Sequence, residues 1–217
     1  MWEFVDKVIY INLDERQDRR DIMKAFFEKG QIPEDKIVRF PAIKRRITQI
    51  GILSSHTAVL QLAKQNGWKN ILILEDDLQW LDFQPAYNQL CDLVQQPKWD
   101  VIMLCGWYGT YEFPRIYSAS NAGAYLVNES YIDTLLANRM TYLNKHKKMF
   151  YLQPSKQIFW AADVSWNSAM SKDTWFCLYP CICSQVDGHS DNSGSVIKAS
   201  LVVGIWSKEV EKTVFNR

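Results

Sequence analysis

Long apolar runs are missing from this sequence, and with them the plainest sign of a membrane-spanning helix, which needs about 18–20 consecutive apolar residues. The nearest candidate, Ser195 to Trp206, is short and interrupted by Lys198. The segment Met1 to Lys7 carries acids and lacks a signal-peptide pattern. An excess of one charge is missing too. The 25 Lys and Arg against 24 Asp and Glu leave +1, which argues against nucleic-acid binding driven by overall charge. No Gly-x-Gly-x-x-Gly follows a strand-like run and no P-loop consensus occurs, so a dinucleotide oxidoreductase and a P-loop NTPase are disfavoured. No repeat or linker divides the 217 residues, and the expectation is one domain, 1–217. Five cysteines, an odd number, point to reduced thiols and a cytoplasmic setting. Cys177, Cys181, Cys183 and His189 match no common zinc spacing, and the thiols read as small buried hydrophobes.

What is present is a run of four aliphatic residues followed by three carboxylates, Ile71-Leu72-Ile73-Leu74-Glu75-Asp76-Asp77. A short, wholly apolar run reads as a strand buried on both faces, as in a parallel sheet. The acids cannot continue into that core, because an unpaired buried charge costs several kcal/mol. They belong where the strand emerges, and in open α/β sheets ligands bind outside the carboxyl ends of the strands. Repulsion among the three calls for positive charge, best met by a hard divalent cation with oxygen ligands. Glu75 and Asp77 would share a face if the strand continues, and Asp76 would point the other way. Asp77 is the first choice of ligand, Glu75 the second, and Asp76 is left for the ribose or donor sugar.

Further strands and helices alternate around this platform. Lys7 to Leu13 reads as the first strand, followed by a helix with apolar positions Ile22, Met23, Phe26 and Phe27 that Gly30 stops. The junction between them holds Asn12, Arg16, Arg19 and Arg20, and arginine there can grip phosphate through two hydrogen bonds. Ile37 to Phe40 is a second strand. Lys44-Arg45-Arg46 reads as a solvated basic loop, and Ser54 or Ser55 as the cap of a helix that Gly67 ends. His56 then falls in the first helical turn, where amides are free for anions. A helix through Tyr87, Leu90 and Val94 ends near Pro97, and a buried strand Trp99 to Leu104 runs into a loop at Gly106 and Gly109. Ser120 to Val127 precedes a helix from about Ser130 to Asn138, Trp175 to Ile182 is a late strand, and Gln185 to Gly194 is a polar loop with His189 and Asp191. Asp163 is a lone acid between Ala162 and Val164, near Trp160 and Trp166. Such surroundings favour a raised carboxylate pKa, and the tryptophans suit either a sugar face or the core. The fold class is α/β, with a mostly parallel central sheet flanked by helices.

The order of these pieces resembles glycosyltransferase family 25, the group of lipooligosaccharide-biosynthesis and collagen glycosyltransferases with relatives in large viruses. The resemblance lies in Val8-Ile9-Tyr10-Ile11-Asn12-Leu13-Asp14 with Arg16, Arg19 and Arg20, then Gly51-Ile52-Leu53-Ser54-Ser55-His56, then Ile71 to Asp77 and Asp100 to Gly106. Ala124 to Val127, Ala162-Asp163 and Pro180 through Gln185 to Asp191 match later, weaker motifs, so the resemblance spans about residues 7 to 192. Ile52 stands where the family usually has cysteine. The resemblance implies a GT-A type fold, a nucleotide-sugar donor, typically UDP-hexose, and a divalent metal, usually manganese, with magnesium as the alternative.

On this reading Asn12, Leu13, Arg16, Arg19, Arg20, Ser55, His56, Glu75 and Asp76 contact the nucleotide sugar. Asp77, Glu75 and His189 hold the metal. Asp163, ahead of Asp191, is the base that deprotonates the acceptor hydroxyl of an inverting transfer; a retaining mechanism leaves Asp163 to position substrate. The acceptor is a glycan or a lipid-linked or protein-linked glycoconjugate, and peripheral membrane contact is compatible with the composition. A haloacid-dehalogenase-like phosphotransferase fits less well, because its acids follow the first strand. A non-catalytic nucleotide-sugar or glycan-binding module of the same fold is the alternative.

Overall fold

The computed structural model describes residues 1–149, 163–190, 195–197 and 204–205. In chain order the elements begin β1 (Lys7–Asn12), α1 (Gln17–Lys29), β2 (Ile37–Pro41), α2 (Thr48–Asn66), β3 (Ile71–Glu75), β4 (Leu78–Trp80), α3 (Phe83–Val94) and β5 (Val101–Tyr108). Next come β6 (Tyr111–Glu112), β7 (Arg115–Ile116), β8 (Ala119–Val127), α4 (Ile132–Met149), α5 (Asn167–Met170), β9 (Trp175–Cys177) and β10 (Cys183–Gln185). The last are β11 (Gly188–Ser190), β12 (Ser195–Ile197) and β13 (Gly204–Ile205).

One sheet runs in the order β2-β1-β3-β8-β5-β9-β7-β6, with β13 also against β5. β1 pairs in parallel with β2 and β3, and β5 in parallel with β9 and β13. β8 lies antiparallel between β3 and β5, so β1, β2, β3, β5, β9 and β13 all point one way. This is the single α/β domain with a mostly parallel sheet that the alternation of elements implies. β3 is buried from Ile71 to Leu74, as its unbroken apolar run requires. Its carboxyl end meets that of β1, with Ile11 opposite Glu75.

An aromatic cluster anchors the strand that leaves the acidic turn. Trp80 of β4 stacks on Phe26 of α1 with ring centroids 4.0 Å apart, and its indole N–H donates to the Phe26 carbonyl at 2.7 Å. Gly30 makes room: a Cβ there would meet the Trp80 ring at 2.5 Å. On its other side β4 pairs antiparallel with β10, and the Val186 N–H donates to the Asp77 carbonyl at 2.7 Å. The acidic turn Glu75–Asp77 is thereby gripped by α1 on one side and β10 on the other.

Several local expectations change, among them the late strand expected over Trp175 to Ile182, which ends at Cys177. The helix carrying His56 starts at Thr48, with Ile47 at the cap position and no side-chain cap. Ser55 lies inside it: its hydroxyl donates to the Gly51 carbonyl at 2.9 Å and accepts from the Ile43 N–H at 2.8 Å. Ser55 therefore straps the helix to the preceding loop, and His56 sits well past the first turn. β5 runs on through Gly106 to Tyr108 in place of the expected loop, because β8 keeps pairing with it at Trp107 and Tyr108. Residues 185–190 are strand-rich, with β10 ending at Gln185 and β11 paired to β12.

Candidate functional site

A cavity of about 600 Å³ opens at the carboxyl ends of β1 and β3, where an α/β sheet offers its ligand crevice. Leu13, Arg16, Arg19, His56, Glu75, Asp76, Asp77 and Asp163 all line it, from segments spread along the chain. Asn12, Arg20 and Ser55 are not among its lining residues.

The three acids divide as strand alternation dictates. Glu75 and Asp77 share a face: the Gln185 side-chain amide donates to Glu75 Oε2 at 3.0 Å and to Asp77 Oδ1 at 3.2 Å. Asp76 turns inward. Its Oδ2 accepts from Asn12 Nδ2 at 2.8 Å and its Oδ1 from Arg19 Nη1 at 2.6 Å. Arg19 also lies 3.3 Å from Asp77 Oδ2. Asn12 is fully buried, and its side-chain oxygen accepts from Arg20 at 2.9 Å and Arg39 at 3.0 Å. Asn12 and Arg20 thus brace the turns around the cavity, and Asp76 does so while still lining it beside Glu75 and Asp77.

Burial makes that pair uneasy. Desolvation, then the neighbouring Asp76, push the Glu75 pKa up against the pull of Arg19. Desolvation, then Glu75, push Asp77 up as well, and Arg19 and Gln185 oppose the rise. Two partly buried carboxylates on one face, with one guanidinium close by, hold negative charge that the protein only partly offsets.

The buried Arg19–Asp76 pair yields a stability prediction. Their side chains are 13% and 8% exposed, and breaking such a pair by removing one partner costs about 3–5 kcal/mol. Arg19→Ala is expected to lower urea stability by about 3 kcal/mol or more, and Arg19→Ala with Asp76→Asn to recover much of it. A single variant as stable as wild type would show that Asp76 does not depend on this guanidinium.

Asp163 stands on the cavity wall half-buried, with Oδ2 accepting the Asn121 backbone N–H at 3.3 Å. Asn121 has φ of 71°, in the left-handed region, where the β5–β8 register shifts. Asparagine tolerates that conformation better than most residues, and such strain gathers at functional sites. Its side-chain oxygen accepts from Gly123 N at 2.8 Å and its amide reaches Gln185 Oε1 at 3.5 Å. Asn121, Gln185 and Trp107, all lining the cavity, are site residues that sequence reasoning misses.

Part of the lining is basic. Arg16, Lys44, Arg45 and the first turn of α2, Thr48 and Gln49, line the cavity. Lys44 pairs with Glu15, and Arg16 forms a two-bond pair with Asp18 at 2.9 and 2.7 Å. The basic loop is therefore more than solvated charge: Lys44 and Arg45 line the cavity together with a helix N-terminus that favours anions.

Trp166 is core: fully buried, it packs edge-on against Tyr125 and Trp175. Trp160 and Asp191 lie outside the described residues, as does the side chain of His189, whose backbone is in β11. The five cysteines are free and four are buried. Among the described residues no three His, Cys, Asp or Glu side chains are grouped to hold a metal, and no helix is long and apolar enough to cross a membrane. Glu75 and Asp77 nevertheless fit one: they offer hard oxygen donors on one face, and their raised pKa values mark charge a cation would neutralise.

No family model matches the sequence, and no curated protein matches it. Solved structures similar to the chain include A197 from STIV, at 11% identity and TM-score 0.49, covering 93% of this chain and 99% of that one. A glycosyltransferase involved in the glycosylation of the major capsid of PBCV-1 is similar at 11% identity and TM-score 0.42, covering 80% of this chain and 92% of that one. So is mannose-1-phosphate geranyltransferase from Thermus thermophilus, at 12% identity and TM-score 0.42, covering 79% of this chain and 72% of that one.

Proposed function

We propose that this chain is a metal-dependent glycosyltransferase. It moves a hexose from a nucleoside-diphosphate sugar, UDP-linked, to a hydroxyl of a glycan or glycoconjugate, with inversion. The observation that carries this reading is the make-up of one cavity, lined both by Glu75 and Asp77, which share the Gln185 amide, and by Arg16, Lys44 and Arg45. A diphosphate joined to a neutral sugar matches that arrangement, with a cation that Glu75 and Asp77 would hold to offset its charge. The family 25 motif resemblance points the same way.

Manganese, or magnesium in its place, held by Glu75 and Asp77, supplies Lewis-acid neutralisation of the departing diphosphate when bound. The rest falls to the chain itself. Arg16, Lys44 and Arg45 meet phosphate oxygens with charge-assisted hydrogen bonds. Asp163 takes the proton of the acceptor hydroxyl as its oxygen bonds to the sugar's anomeric carbon and the bond from that carbon to the diphosphate oxygen breaks. The Asn121 N–H fixes one oxygen of that carboxylate, so the base is aimed before substrate arrives.

A thermal-stability screen of nucleotide sugars with manganese tests this. A ligand at a hundred times its Kd adds about 2.7 kcal/mol, so one nucleotide family is expected to raise the melting temperature by several degrees. The same nucleotide sugars with chelator are expected to leave it unchanged. A flat response across the panel with manganese present would remove the donor reading.

A further inference from the structure

Gln185 touches both carboxylates of the acidic pair through one nitrogen. Its Nε2 donates to Glu75 Oε2 at 3.0 Å and to Asp77 Oδ1 at 3.2 Å. An amide nitrogen carries two hydrogens, so each carboxylate receives one. The backbone behind this side chain is fixed to the same turn. Gln185 pairs with Leu78, the residue after Asp77, and the Val186 N–H donates to the Asp77 carbonyl at 2.7 Å.

Which end of the amide faces the acids is set from both sides. The Gly123 N–H can only donate, so the Asn121 side chain turns its oxygen to it, at 2.8 Å. The nitrogen of Asn121 then points toward Gln185 Oε1, at 3.5 Å. Gly123 leaves room for Asn121 to fold over: a Cβ there would stand 3.0 Å from Asn121 Oδ1. The contact to Gln185 is long, yet its sense is unambiguous. Turning the Gln185 amide round would set its NH2 against that of Asn121 and its oxygen against two carboxylates. A cation pulls the other way, because hard cations attract amide oxygens as ligands. Asn121 opposes that pull.

We propose that Gln185 is a positioning residue: its NH2, kept facing Glu75 and Asp77 by Asn121, holds the two carboxylates side by side for a cation, and its own oxygen is not a ligand. The use made of the pair rests on the reading of Glu75 and Asp77 as a cation site; the orientation of the amide does not. Two side chains held in place before the ion arrives lose less freedom on binding it. Groups behind a ligand that set its orientation typically change metal affinity about 10–100-fold when lost.

The test uses the full chain. Nitrogen–proton NMR reads the Gln185 NH2 pair, assigned through the backbone of the same residue. In chelator the pair is expected to exchange with water more slowly than exposed side-chain amides. Magnesium, which leaves the spectrum sharp, is expected to preserve that protection in the wild type. In Asn121→Gly the same addition is expected to remove it, because nothing then holds the amide oxygen. Glycine keeps the positive φ and the backbone N–H that Asp163 accepts, so this variant changes the side chain alone. Protection lost in the wild type on adding magnesium would make Gln185 a ligand through its oxygen and overturn the proposal. Protection kept in Asn121→Gly would overturn the part given to Asn121. Manganese alone, followed by the electron paramagnetic resonance of the free ion, is expected to bind about tenfold or more weakly to Gln185→Met, a side chain of similar length without a donor. Equal affinities would overturn the positioning role and leave the cation site standing. A wild type that binds neither manganese nor magnesium would overturn the cation site, and with it the role of Gln185.

Discussion

Asp77→Asn is expected to abolish metal-dependent turnover of the nucleotide-sugar donor while leaving the cation-free protein as stable as wild type, or more so. The two halves share one cause. Burial and Glu75 push the Asp77 pKa up, so the charged form is disfavoured in the fold, and asparagine removes that penalty at nearly equal volume. Its carbonyl oxygen still accepts from Gln185, which reaches Asp77 Oδ1 at 3.2 Å in the wild type, and Arg19 keeps Asp76. What is lost is an anionic ligand. A cation on a departing diphosphate contributes several kcal/mol, and each ~1.36 kcal/mol is tenfold in rate. Release of UDP from the donor should therefore fall by about two orders of magnitude or more. The paired measurement is melting temperature in chelator and UDP release in manganese, on one preparation. Normal turnover would remove Asp77 from the cation site, and a collapsed fold would make it a structural residue.

Asp163→Asn is expected to show the opposite separation. Its carboxylate lines the cavity and accepts a backbone N–H from Asn121; asparagine can keep that bond through its carbonyl oxygen. Fold, cation affinity and UDP affinity need no proton transfer from this side chain and should stay within a small factor of wild type. Sugar transfer should fall by about 10²–10⁴, the usual contribution of a positioned general base. Rate of transfer and UDP affinity in the same sample distinguish the outcomes. Weakened UDP binding with a proportionate loss of rate would make Asp163 a donor ligand. Near-normal transfer would leave it structural, with Asp191 next in line.

The features legible in the sequence are those whose cause is local. Four aliphatic residues ending in three acids announce a buried strand and its exit, and alternation along it separates Asp76 from Glu75 and Asp77. The start of α2 misleads for an equally local reason. Serines at 54 and 55 are good caps in isolation, yet Ser55 bonds the carbonyl four residues back, and the real start at Thr48 has no capping side chain to signal it. Asn121 and Trp107 give no signal, and Gln185 lies in a weakly resembling segment without being singled out, since strand pairing is what brings each to the cavity. Lys44 and Arg45 look like solvated charge in the sequence, and only the folded chain shows them lining the cavity. Trp166 looks available to sugar, and Arg139 stacked on its ring closes it into the core.

The central claim, that Glu75 and Asp77 bind a diphosphate through a cation, is tested most directly by titrating wild-type protein with UDP in a calorimeter, once with manganese and once with excess chelator. The account predicts saturable binding with manganese and a Kd at least about tenfold weaker, or no measurable heat, with chelator. Equal dissociation constants in the two titrations would contradict it.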